Sequence, residues 1–276
     1  MNAEELFRSI QKKRSYLCIG LDTDYNKIPR FLLDKEYPIF EFNRHIIDAT
    51  EDLAVAFKPN LAFYESMGAA GLMSLEMTIN YIRRHYPDIF IIADAKRGDI
   101  GNSSKMYANA YFRTLDFDAV TVSPYMGYDS IQPFLECRGK WAIILALTSN
   151  EGSKDFQQQQ AAEGQPFYIM VIRKALEWGH VNNMMFVIGA TKAEEMKEVR
   201  RIIPEHFLLV PGVGEQGGVL EDVAKYGMND RCGLIVNAGR SIIYADGTNK
   251  FEKVARDQAI MLQQAMEKTL RDRHLI

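Results

Sequence analysis

Asp94-Ala95-Lys96-Arg97-Gly98-Asp99-Ile100 follows directly on the apolar run Ile89-Phe90-Ile91-Ile92-Ala93. The apolar run reads as a buried strand, so the charges after it are delivered to the rim of a sheet. Charges there are costly unless paired or put to use. Two carboxylates and a lysine within six residues suit the handling of an anionic substrate or of a proton. A plainer alternative has Asp99 capping a helix that begins near Asn102, with Lys96 and Arg97 solvated, because Asp is favoured at helix starts.

The elements that must position these charges repeat along the chain. Strand-like runs are expected at Tyr16–Leu21, Val55–Lys58, Ile89–Ala93, Ala119–Ser123, Trp141–Thr148, Met184–Gly189, Phe207–Val210 and Gly233–Asn237. Helical patterns follow them near 38–52, 68–86, 102–114, 128–137, 165–178, 192–203, 217–226 and 250–272. Apolar strands alternating with helices indicate a parallel sheet covered on both faces. Eight such units in about 250 residues predict a single-domain (β/α)8 TIM barrel over 1–276. An open doubly wound sheet is the alternative, but it has fewer units and a glycine-rich first turn. Residues 2–14 are expected to form an extra helix across the barrel bottom. The polar segment 150–165, with Gln157 to Gln160, reads either as a lid or as a disordered excursion.

In this fold chemistry sits beyond the C-terminal strand ends. Those ends carry Asp22 and Asp24, then Lys58-Pro59-Asn60, then Asp94, Lys96 and Asp99. Strand five ends in Thr148-Ser149-Asn150, strand seven runs into Pro211 to Gly218, and strand eight ends in Asn237-Ala238-Gly239-Arg240-Ser241. Glycines let backbone amides approach an anion, and Arg240 adds a forked donor that fits phosphate oxygens. The loops after strands seven and eight are therefore the expected phosphate site. On the other side, Lys58 and Lys96 would share one mouth with Asp22, Asp94 and Asp99, opposite charges keeping one another ionised.

His45, His85, His180 and His206 fall away from strand ends, and His274 is in the tail. All five read as structural or solvated. The Asp-x-Lys-x-x-Asp array has no His or Cys companion, which disfavours a transition metal, whereas a Mg²⁺ site of Asp and Glu stays open on these residues. A net charge of −3 gives no basic field for nucleic acid. Cys18, Cys137 and Cys232 are scattered, which argues against a disulfide framework and for a reducing, cytoplasmic setting. Met1 to Ser15 has no apolar stretch of a secretory signal, and the longest apolar run, Trp141 to Leu147, is too short to span a bilayer.

Taken together, these blocks resemble the orotidine 5′-phosphate decarboxylases, specifically their longer bacterial form, over essentially the whole barrel. Asp94 to Ile100 is similar to the family's catalytic motif. Gly20-Leu21-Asp22, Phe57-Lys58-Pro59-Asn60 and the loop Pro211 to Gly218 match its other blocks in order. The resemblance implies conversion of orotidine 5′-monophosphate to UMP and CO₂ in pyrimidine biosynthesis, with no metal and no organic cofactor. It implies Lys96, Asp94, Asp99 and Lys58 as catalytic residues. Asp22, Ser149, Gln216, Gly217, Gly239 and Arg240 would bind substrate, Ser149 or the adjacent Thr148 facing the pyrimidine and Gln216 with Arg240 gripping the phosphate. The family's hydroxyl residue after the motif is Ser103 or Ser104. A homodimer is implied, Asp99 reaching the partner's substrate, with no nucleic acid and no membrane as partners. Two other readings compete: a Mg²⁺-using sugar-phosphate enzyme such as a hexulose-phosphate synthase, and a non-catalytic nucleotide-binding barrel.

Overall fold

The computed structural model describes residues 1–161, 164–214 and 217–276. Eight parallel strands close into a barrel in sequence order: β1 Leu17–Leu21, β2 Ala56–Pro59, β3 Phe90–Arg97, β4 Ala119–Val122, β5 Trp141–Leu147, β6 Met184–Ile188, β7 Leu208–Pro211 and β8 Leu234–Ala238. This is the (β/α)8 TIM barrel expected from the alternating pattern, not the open sheet; β8 pairs with β1 through Cys18 and Asn237. The strands are buried nearly throughout because helices cover the outside and side chains fill the inside.

The helices are α1 Ala3–Lys13, α2 Pro38–Thr50, α3 Leu61–Glu65, α4 Gly68–His85, α5 Gly101–Asn109, α6 Tyr128–Leu135, α7 Phe167–Ala175, α8 Met196–Ile202, α9 Leu220–Gly227, α10 Arg240–Ile243 and α11 Phe251–Asp272. In α1, an Asn2–Glu5 capping box satisfies two otherwise orphaned amides. Leu6 and Ile10 bury its inner face, and the Trp141 indole at the start of β5 donates to Met1 O at 2.8 Å. That contact seats α1 beneath the N-terminal strand ends. The short helices α3 and α10 have no counterpart among the sequence-derived segments, because one turn is too brief to show a 3.6-residue period.

Two differences bear on the site. β3 runs to Arg97 rather than ending at Ala93, because Arg97 still pairs with Val122 and Asn60 bridges to Asp94. The capping alternative for Asp99 is not adopted. Ile100 stands at the N-cap of α5 without a side-chain cap, and Asp99 Oδ1 accepts the Ile100 N–H at 2.7 Å.

The polar segment after β5 is hydrogen bonded to the barrel where it is described. Glu151–Lys154 forms a 3₁₀ turn, Gln160 bridges to Pro166, and the Gln157 carboxamide accepts the Thr148 N–H at 2.7 Å. Among the described residues no helix is long and apolar enough to cross a membrane.

Candidate active site

The site begins with an irregularity in β3. Ala93 pairs with Val120 and Arg97 with Val122, so Asp94, Ala95 and Lys96 face the single residue Thr121. The strand bulges around Thr121, whose hydroxyl donates to Asp94 Oδ1 at 3.1 Å and accepts the Lys96 N–H at 2.9 Å. Lys96 sits at φ +47°, a left-handed conformation costing roughly 1–2 kcal/mol for a residue with a side chain. Such strain persists where neighbours over-determine it, and it clusters at functional sites. Here Thr121 and the flanking β pairing hold it.

Asp94 is clamped between two ammonium groups. Its Oδ2 accepts from Lys58 Nζ at 2.8 Å and its Oδ1 from Lys96 Nζ at 2.5 Å. Burial opposes ionisation of Asp94, but Lys58 and then Lys96 outweigh it and hold the carboxyl well below the usual carboxylate range. Burial likewise pushes the Lys58 ammonium down, and Asp94 followed by Asp22 overcomes this and holds it above the ordinary lysine value. Both residues are thus ions at neutral pH. Lys58 is almost fully buried, whereas Lys96 is half exposed to the cavity.

Arg97, beyond the bulge, points outward and is not solvated. It pairs with Glu65, donates to Ala95 O and lies over the rings of Tyr107 and Tyr111.

These groups open into a cavity of about 520 Å³, within the range that holds a nucleotide-sized ligand. Asp22, Lys58, Asp94, Lys96, Ser149, Gly239 and Arg240 all line it. Its described charges are two carboxylates, Asp22 and Asp94, against three cations, Lys58, Lys96 and Arg240. This balance favours an anionic ligand. Asp22 lines the cavity, and its Oδ1 is buried with no hydrogen-bond partner among the described residues.

The far wall belongs to the C-terminal ends of β7 and β8. Gly212 and Val213 line the cavity, and the β7 loop closes on itself through Gly217 N–H to Gly214 O at 2.9 Å, with Gly217 at φ +85°. Gly218 lies so close to Ala190 that an added Cβ would sit 2.4 Å from the alanine Cβ. Gln216 lies outside the described residues.

Asp99 is not among the residues lining this cavity, so the structure does not bring it together with Lys96 within one chain. Ser104 is buried and donates to Ser130 O at 2.8 Å, whereas Ser103 is exposed at the start of α5. Thr148 is committed: its hydroxyl donates to Asn150 Oδ1 at 2.5 Å and its amide to Gln157. Two polar residues escaped sequence reasoning: Thr121 lines the cavity and Tyr244 stands behind Asp22. Asn60 and Asn237, carried by the strand ends without an assigned role, and Gln157 of the polar segment also line the cavity, and Asn60 caps α3 by accepting the Ala62 N–H at 3.3 Å.

Cys18 borders Asn237 at 3.5 Å, but burial pushes its thiol up to about 12, which makes it no nucleophile. Among the described residues no three His, Cys, Asp or Glu side chains converge as a metal centre requires.

The fold and this mouth define a (β/α)8-barrel enzyme whose cavity sets Arg240 and the β7 turn opposite a Lys–Asp–Lys array. The sequence model of the orotidine 5′-phosphate decarboxylase / HUMPS family matches residues 15–254, and the chain belongs to that family. It is 58% identical over 270 residues to the orotidine 5′-phosphate decarboxylase of Phocaeicola vulgatus, covering 98% of this chain and 99% of the relative. It is also 58% identical to that of Porphyromonas gingivalis over 276 residues, the full length of both. The solved structure of Leishmania donovani OMP decarboxylase superposes with a TM-score of 0.79 at 32% identity, covering 96% of this chain and 100% of that one.

Proposed function

We infer that this chain is an orotidine 5′-phosphate decarboxylase, converting orotidine 5′-monophosphate to UMP and CO₂ in pyrimidine biosynthesis. The observation that carries the reading is the Lys58–Asp94–Lys96 array in a cavity whose opposite wall holds Arg240 and the glycine turn. In the proposed step the C6–carboxylate bond breaks, CO₂ leaves, and the electron pair stays on C6. Lys96 stabilises that carbanion as an ammonium and then donates a proton to C6, forming the C–H bond of UMP; solvent restores the Lys96 proton.

A charge pair at 4 Å is worth about 4 kcal/mol at an effective dielectric near 20. Enzymes lower barriers by about 8–23 kcal/mol, so Lys96 alone is not enough. Two arrangements supply more. The bulge and Asp94 fix Lys96 before substrate arrives, which removes reorganisation from the chemical step. The phosphate, gripped by Arg240, provides binding energy remote from the reacting carbon. The 2.5 Å Asp94–Lys96 pair favours a positioning role for Asp94 over repulsion of the substrate carboxylate. Asp22, whose side chain lines the cavity, accepts a substrate hydroxyl.

The test is the loss of absorbance from orotidine 5′-monophosphate with and without EDTA. Turnover unaffected by EDTA is expected. No turnover overturns the activity, and turnover abolished by EDTA moves the reading to the metal-using sugar-phosphate class.

The same reading places Asp99 in a site shared across a homodimer. Asp99 lies outside its own cavity, and Ile100, Met106, Tyr107, Tyr125, Met126 and Tyr128 on α5 and the segment after β4 are exposed large hydrophobics, which supports an interaction there. Mixing inactive Lys96→Ala and Asp99→Ala chains should restore activity, because one site of each mixed dimer holds both native residues. Heterodimers without recovery would return Asp99 to its own chain. Three free cysteines support a reducing, cytoplasmic setting.

A further inference from the structure

Tyr244 has no role in the chemistry just described, yet its hydroxyl touches the substrate-facing side of the barrel twice. It donates to the backbone carbonyl of Asp22 at 2.8 Å and accepts the backbone N–H of Asp24 at 2.6 Å. It therefore closes the turn that presents the Asp22 carboxylate, whose Oδ1 is buried without a partner. Tyr244 also ends α10, one turn after Arg240, to whose carbonyl its own N–H donates at 3.1 Å. The ring is held from two sides, stacked on Phe42 at 5.9 Å with Lys27 Nζ 5.6 Å from its centroid. Burial raises its hydroxyl to about 12, so the donor to Asp22 persists through the neutral range.

We propose that Tyr244 is a positioning residue that ties the phosphate-gripping helix to Asp22, so that one brace sets both the Arg240 end and the Asp22 end of the substrate. The proposal rests on the decarboxylase reading and assigns to that site a residue which contacts no reacting atom. Its physical basis is connectivity: Arg240 and Tyr244 share one helical turn, and a displacement of that turn moves the hydroxyl that fixes the Asp22–Asp24 backbone.

The test is a double-mutant cycle with Tyr244→Phe, which keeps the stacked ring and removes only the oxygen, and Arg240→Ala. kcat/KM for orotidine 5′-monophosphate is measured for all four proteins below their melting temperatures. Tyr244→Phe is expected to lower kcat/KM by roughly three- to tenfold alone, the range for loss of a hydrogen bond. On the Arg240→Ala background the loss should shrink to within about twofold, as coupled residues require. A second cycle pairs Tyr244→Phe with Asp22→Ala and should show the same shrinkage, because the hydroxyl acts through Asp22. Equal factors on all backgrounds, or no effect of Tyr244→Phe alone, overturn the proposal while leaving the decarboxylase reading intact. A wild-type chain that leaves orotidine 5′-monophosphate unchanged overturns both.

Discussion

On the β2–β4 side of the cavity, Lys58, Asp94, Lys96 and Thr121 hold one another by side-chain contacts of 2.5 to 3.1 Å. On the β7–β8 side the wall is the turn after β7 and the start of α10, with Gly212, Val213, Gly239 and Arg240 lining it. The first side is an ionic lattice, at the cost of burying charge and of one left-handed lysine. The second is built on a turn and needs glycine where that turn demands φ of +85° at Gly217. The contrast suits the division of labour proposed above: ordered charge for the chemical step, and the β7–β8 wall for the phosphate.

The largest effect that would break this comparison is expected from Asp94→Ala. It leaves Lys58 buried without its partner, and removing one member of a buried pair costs about 3–5 kcal/mol of stability. It also releases Lys96, so kcat should fall by at least about 10²-fold, on the scale of lost positioned acid–base catalysis. Thermal melting and steady-state kinetics read the two losses separately; a stable variant with wild-type kcat would show that the lattice is ornamental.

Next in size is Arg240→Ala. Loss of a charged hydrogen bond of about 1.5–3 kcal/mol corresponds to roughly 10- to 150-fold weaker handling of the phosphorylated substrate. Orotidine without its phosphate should be nearly unaffected. Equal losses for both substrates would remove the phosphate assignment from the β7–β8 wall.

Acid titration sharpens the comparison further. Asp94 has a folded pKa depressed below its unfolded value near 3.9, so its contribution is present above about pH 4–5 and is lost as pH falls through the folded value. Lys58 has a folded pKa raised above its unfolded value near 10.4, so its contribution is present below that value and fades as pH rises further. Asp94→Asn should therefore flatten the acid limb of the stability profile below about pH 4, by denaturant midpoint, relative to wild type. An unchanged acid limb would mean that the pair carries no linkage.

The smallest effect is expected from Gly217→Ala. A side chain at φ +85° costs roughly 1–2 kcal/mol, with nothing among the described residues to clash against the new methyl. KM should rise a few-fold with kcat unchanged. A large loss of kcat there would mean that the backbone wall takes part in the chemical step.

The barrel was legible because buried parallel strands read as continuous apolar runs and the helices between them keep an amphipathic period. Strand ends, in turn, pointed to Asp22, Lys58, Asp94, Lys96, Ser149 and Arg240, all of which the fold brings to one cavity. The bulge in β3 was not legible. Nothing in Asp94-Ala95-Lys96 announces a left-handed residue, because the conformation is imposed by Thr121 on the neighbouring strand. Thr121 sits in the middle of an apolar strand and Tyr244 after a one-turn helix, so neither carries a local pattern; only the closed barrel sets them behind Lys96 and Asp22. Asp99 matched the motif but does not line the cavity, since motif spacing does not say which way a loop residue turns.

The central claim is that the β3 array does the chemistry while the opposite wall holds the ligand. Its most direct test is Lys96→Ala, with turnover of orotidine 5′-monophosphate and calorimetric binding of UMP measured on one preparation. The account predicts turnover reduced by at least about 10²–10⁴-fold, the scale of positioned proton transfer, with UMP affinity within about tenfold of wild type. A variant that retains wild-type-like kcat would contradict it.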